Sequence, residues 1–98
     1  MRFGSGSAIS ITADYCTVAG LYATGSGSSS DNAGIHIESD NNIIRNNNAS
    51  NNLNNGIYLC YSGGNTLVKN AVNSNSHGIY LYFSINKILA DNIANSNN

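Results

Sequence analysis

The sequence predicts an all-β chain, a right-handed, single-stranded parallel β-helix (a solenoid) of about four coils with a period of about 22 residues. Three observations carry this prediction. A short phrase recurs at a fixed interval, as Gly34-Ile35-His36-Ile37, Gly56-Ile57-Tyr58-Leu59 and Gly78-Ile79-Tyr80-Leu81. Within each copy the residues alternate, Ile57 and Leu59 sharing one face and Tyr58 and Cys60 the other, which is the period of a strand and not of a helix. Asn is the commonest residue and clusters between the apolar stretches, where its tolerance of left-handed backbone and its ability to close Asx-turns suit tight corners. The expected hand follows from the near-universal right-handedness of crossovers between parallel strands.

Each repeat reads as three short strands joined by polar turns. The Gly-Ile phrase is the first strand. A polar corner follows, Ser39-Asp40-Asn41-Asn42, Ser62-Gly63-Gly64-Asn65 or Ser84-Ile85-Asn86, and then a second apolar stretch, Ile43-Ile44, Leu67-Val68 or Ile88-Leu89. The third piece carries Ala49, Val72 and Ile93 among Asn and Ser. Aligned rows Ile35, Ile57, Ile79 and Ile37, Leu59, Leu81 are the expected interior. Asn47, Asn70 and Asn92 fall at matching places, so their amides are expected to stack as a hydrogen-bonded ladder.

An irregular first coil, residues 8–33, precedes these repeats. Ala8-Ile9-Ser10-Ile11 stands in for the opening phrase, and Asp14-Tyr15-Cys16-Thr17-Val18 aligns with Asp40-Asn41-Asn42-Ile43-Ile44. The additional length is assigned to Gly25–Asn32, read as a loop protruding from one corner. Repeats 34–55, 56–77 and 78–98 complete one domain over 1–98, which reads as a short array or a fragment of a longer one. Asn55-Gly56 is a hairpin signal, but residues 51–54 are poor strand material, so Gly56 is read as a coil-corner residue.

Composition excludes several function classes. Charged residues make up 9% of the chain and the formal net charge is −1, which leaves no electrostatic footprint for nucleic acid or an anionic membrane surface. No apolar run has the length of a membrane span, and no signal peptide pattern opens the sequence. Cys16 and Cys60 lack CxxC spacing and read as free thiols. The register of Gly, Ile and Leu outweighs the reading of the Asn-rich stretches as a disordered tract.

Units reading Gly-Ile-x-Leu, then Ser and Asn, then Asn-Thr-Leu or Asn-Ile-Ile, then an Asn-rich turn resemble the parallel β-helix repeats of NosD-like surface and periplasmic proteins. The resemblance runs from about Ala8 to Asn98. It implies an extracellular, cell-surface or periplasmic location. It also implies kinship with modules that bind or process carbohydrate and with an accessory protein for copper-centre maturation.

Outward positions of the first strand form two columns, His36, Tyr58, Tyr80 and Glu38, Cys60, Tyr82, with Tyr61 and Phe83 as a further aromatic pair. Flat rings with hydroxyls suit the apolar faces of sugars, so His36, Tyr58, Tyr80 and Tyr82 are the expected ligand-binding residues of a non-catalytic scaffold or surface module. The competing account is that stacked aromatics only stabilise neighbouring strands. A truncated polysaccharide lyase or hydrolase is the alternative from another class. It needs clustered carboxylates, whereas Asp14, Asp31, Glu38, Asp40 and Asp91 fall mostly in different columns; Asp14 and Asp40 align, as turn-formers. A NosD-like copper-maturation segment is the third reading. His36, Glu38 and Cys60 point toward one region, but a single histidine is a thin ligand set, so no metal and no cofactor are assigned. Asn48-Ala49-Ser50 is a glycosylation sequon expected at the surface. Uncapped strand edges near Ile9-Ile11 and Ile79-Leu81 predict self-association.

Overall fold

The computed structural model describes residues 6–27 and 32–94. Its strands are β1 (Ile9–Ile11), β2 (Thr17–Ala19), β3 (Ala33–Ile37), β4 (Ile43–Arg45), β5 (Asn55–Cys60), β6 (Thr66–Val68), β7 (His77–Tyr82) and β8 (Ile88–Ala90). They form two four-stranded sheets with orders β1-β3-β5-β7 and β2-β4-β6-β8, and every pairing is parallel. The chain therefore adds one strand to each sheet per turn, which is a parallel β-helix of about four coils. No helix occurs among the described residues.

The interior rows are those of the sequence pattern. Ile9, Ile35, Ile57 and Ile79 pair in register, as do Ile11, Ile37, Leu59 and Leu81. From the second sheet Val18, Ile44, Leu67 and Leu89 form the facing row, with Thr66 opposite Ile43. The third side differs from the expected third strand. It forms isolated bridges, Tyr22 to Asn48 to Ala71 to Ile93, because only a few residues separate its two corners. Ile93 thus follows Ala71 and is exposed, while Ala23, Ala49 and Val72 close the core.

Corners and interior ladders use adjacent positions. Left-handed residues mark one corner at Tyr15, Asn41, Gly64 and Asn86, a second at Gly20, Asn46, Lys69 and Asp91, and a third at Gly25, Asn51 and Ser74. The residue after each, except Lys87 after Asn86, is the ladder residue, so the sequence expectation of one ladder becomes three. In the first, Asn65 Oδ1 accepts the Asn42 backbone N–H at 2.9 Å and Nδ2 at 3.1 Å, and Asn65 Nδ2 donates to the Ser39 carbonyl at 3.0 Å. Asn47, Asn70 and Asn92 repeat this geometry, as do Asn52 and Asn75. Coil 1 has Cys16, Leu21 and Ser26 at these places, and each closes its ladder with a backbone N–H. Buried, hydrogen-bonded amides thus supplement the small apolar core.

Ser26 is therefore a buried ladder residue and not part of a protruding loop. The added length of coil 1 falls between Gly27 and Asn32; Ser28, Ser29, Ser30 and Asp31 lie outside the described residues.

Gly34 and Gly56 sit inside β3 and β5, not at corners. A Cβ on Gly56 would lie 2.6 Å from the Gly78 carbonyl oxygen and 2.9 Å from that of Ala49. The third side passes so close to the first sheet that only hydrogen fits. Asn55 begins the parallel strand β5, so no hairpin forms there.

Candidate ligand-binding surface

Parallel register places outward side chains of successive coils directly above one another. His36 and Tyr58 stack with centroids 5.0 Å apart and planes 18° apart, and Tyr58 and Tyr80 stack at 5.0 Å and 12°. His77, the first residue of β7, extends the column by stacking on Tyr80 at 5.5 Å. Pointing outward is not the same as being exposed, and here the expected exposed stripe changes. Tyr58 is only 5% exposed and forms a second buried cluster with Ala33 and Cys60. β5 is consequently buried on both faces. Tyr80 and Tyr82, at 37% and 39%, present accessible ring surface. His36 is half-buried, its Nε2 lying 3.3 Å from Glu38 Oε1 without hydrogen-bond alignment.

A second aromatic group sits where β5 and β7 end. Coil 3 carries one more residue at this corner than coils 1 and 2: Leu59 pairs with Ile37 at an offset of 22, whereas Asn65 bonds Asn42 at 23. The extra residue is Tyr61, and Phe83 occupies the same place in coil 4. Both hold positive φ, 47° and 49°, a conformation costly for bulky side chains. Their rings stack at 5.2 Å and 7°, and Tyr82 meets each edge-on. The Tyr61 phenol is pushed above its ordinary range, first by its hydrogen bond to Tyr82. Tyr61 and Phe83 are 66% and 67% exposed and line a cleft of about 620 Å³ together with Ile85, Asp40, Asn41 and Asn86.

The carboxylates are not gathered into a catalytic cluster. Asp14 Oδ1 accepts the Asp40 N–H at 2.7 Å, and Asp40 Oδ1 accepts the Gly63 N–H at 2.8 Å, so each caps the next coil's corner. Asp91 occupies the left-handed position of a different corner. In the sequon, Asn48 is exposed, but Ser50 is buried and donates to Asn48 Oδ1.

Residues 5–98 match the family described as Periplasmic copper-binding protein (NosD). The chain belongs to the NosD family. No curated protein and no solved structure matches it. The family's periplasmic description is compatible with an extracellular or periplasmic location. Copper centres draw on imidazole, thiolate and thioether ligands. Among the described residues no three His, Cys, Asp or Glu side chains come together: His36 meets only Glu38, and Cys60 is buried beside Tyr58. These residues do not fit a copper centre. No helix among the described residues is long and apolar enough to cross a membrane.

Residue spacing identified the ring column and the Tyr61–Phe83 pair. It did not identify His77 as part of the column, nor Ile85, Asn41 and Asn86 as cleft residues. The one-residue shift at Tyr61 was the available signal for the cleft.

Proposed function

We propose that this NosD-family segment is a non-catalytic β-helix scaffold that binds carbohydrate, with Tyr80 and Tyr82 contacting the sugar and His36 and Tyr58 holding the ring planes from beneath. The observation that carries the reading is the continuous column of near-parallel rings whose upper members are accessible. Such a column offers apolar area to pyranose faces with little loss of side-chain freedom on binding. The test is a titration of neutral and acidic oligosaccharides, with and without calcium, following tyrosine fluorescence and product formation. Saturable binding lost in Tyr80→Ala supports the module. Turnover lost on changing Asp14 or Asp40 would move the assignment to a polysaccharide-processing enzyme. Silence toward every glycan would leave a structural segment.

The family description favours a second reading, that of a segment within a copper-handling protein. Stoichiometric copper binding in an anaerobic titration would support it. Extracellular or periplasmic placement belongs to both readings. Self-association is proposed alongside them, because β1 and β7 are the outer strands of their sheet and the inward-row residue Leu89 is exposed. A constant monomer mass across the micromolar to hundred-micromolar range in sedimentation would refute that proposal.

A further inference from the structure

We propose that the corner cleft beside Tyr61 is a binding site of its own, distinct from the ring column, and that it takes a neutral pyranose ring. The argument starts from the inserted residues. Tyr61 and Phe83 are additions to coils 3 and 4 that the fold does not need, since coils 1 and 2 turn the same corner without them. Each nevertheless holds a bulky side chain in left-handed backbone and leaves its ring two-thirds exposed. Strain and exposed aromatic area together mark a surface kept for contact.

The rings stack along the coil axis, so the face of Tyr61 away from Phe83 looks toward coil 2, where no inserted residue stands. The corner column beside them reads Tyr15, Asn41, Gly64, Asn86. Gly64 has no side chain, and its φ of 68° disfavours one. Asn41 Oδ1 leans over the space a Cβ would fill. The result is a notch with an aromatic side from Tyr61, Phe83 and Ile85 and polar groups from Asp40, Asn41 and Asn86.

The polar groups are available. Asp40 spends Oδ1 on the Gly63 N–H, leaving Oδ2 without a partner among the described residues, and the Asn41 and Asn86 side chains make no hydrogen bond there. A carboxylate oxygen and two amides opposite a flat apolar surface match vicinal hydroxyls on a ring whose C–H face packs on Tyr61. Among the described residues no cation lines the cleft to pair with a uronate, and Asp40 repels one, so the ligand is a neutral sugar and not an acidic one.

The test is a set of backbone amide NMR titrations of the full chain with maltotriose, cellotriose and trigalacturonate. The variants are Tyr61→Asn and Phe83→Asn, which tolerate left-handed backbone, together with Asp40→Asn and, as a control on the exposed third side, Tyr22→Ala. A neutral trisaccharide should shift the Gly63 and Gly64 amides. The affinity read from those two amides should fall about tenfold or more in the Tyr61 and Phe83 variants and stay unchanged in Tyr22→Ala. Trigalacturonate should bind more weakly than the neutral sugars, with a smaller gap in Asp40→Asn. Shifts confined to residues around Tyr80 and Tyr82, with Tyr61→Asn binding normally, would overturn the cleft and leave the ring column standing. Equal or tighter trigalacturonate binding would overturn the ligand class. Unmoved Gly63 and Gly64 amides at millimolar concentrations of every sugar would overturn the site.

Discussion

Asn70→Ala isolates what the asparagine ladders contribute. Asn70 is buried at the centre of its ladder, where Oδ1 accepts the Asn47 N–H at 3.1 Å and Asn47 Nδ2 at 3.2 Å. Its Nδ2 donates to the Ile44 carbonyl at 2.9 Å and to Asn92 Oδ1 at 3.0 Å. Truncation leaves the Asn47 N–H buried without its partner and removes one of two bonds to the Ile44 carbonyl, which keeps its place in the β4–β6 ladder, whereas Asn47 Nδ2 keeps its bond to the Val18 carbonyl. One orphaned backbone N–H gives an expected loss of about 1–3 kcal/mol. That is a large fraction of the roughly 5–15 kcal/mol that holds a domain together. Urea unfolding followed by far-ultraviolet circular dichroism measures it, with Arg45→Ala as the exposed control, expected within about 1 kcal/mol of the parent.

Asn70→Asp sharpens the test. The new carboxylate faces the Ile44 carbonyl and Asn92 Oδ1, both acceptors, so its folded pKa is expected to lie above the unfolded value of about 3.9. A raised folded pKa means that its favourable contribution is present below the unfolded value and is lost as pH rises through the folded one. The Asp variant's deficit should therefore shrink on acidification, while the Ala deficit stays flat with pH. A loss below about 1 kcal/mol for Asn70→Ala, or parallel pH profiles for the two variants, would refute the account of the ladders.

Three further outcomes are expected. Leu59→Ala, at a fully buried position between Ile37 and Leu81, should lower stability by about 2–5 kcal/mol in the same unfolding assay. Gly56→Ala should cost at least about 1–3 kcal/mol, because the added methyl meets the backbone carbonyls of Gly78 and Ala49, and a thermal melt should show it as a lowered midpoint. In an alkaline absorbance titration Tyr61 should ionise above the ordinary tyrosine range and return toward it in Tyr82→Phe. Its raised pKa means that any stabilisation it gives is present below the ordinary value and lost as pH rises through the folded one.

Much of the fold is written in spacing, because a parallel β-helix repeats the same local problem on every coil. Ile35, Ile57 and Ile79 recur at one interval, and the structure pairs them in register for that reason. Asn47, Asn70 and Asn92 likewise sit in one ladder. The adjacent left-handed residues are less legible, since Lys69, Ser74 and Asp91 serve corners that Asn and Gly serve elsewhere. Once stacking fixes the corner, the coil imposes the backbone and the residue type follows only loosely.

Alternation by itself determined which side chains of the first strand point outward, but not which of them meet solvent. Tyr58 and Tyr80 occupy equivalent positions, yet Tyr58 is buried between His36 and Tyr80 while Tyr80 is open, because burial depends on neighbours one coil away. The repeat period also conceals the corner. The offset rises to 23 at Asn65 and returns to 22 where Asn55 pairs with His77, so successive Gly-Ile phrases keep step while Tyr61 is displaced outward between them. Sequence periodicity thus determined the coil, its inward rows and the Asn47-Asn70-Asn92 ladder. Tertiary stacking alone decided that Tyr61 and Phe83 meet Asp40 and Asn41 in one cleft, because that contact runs across coils.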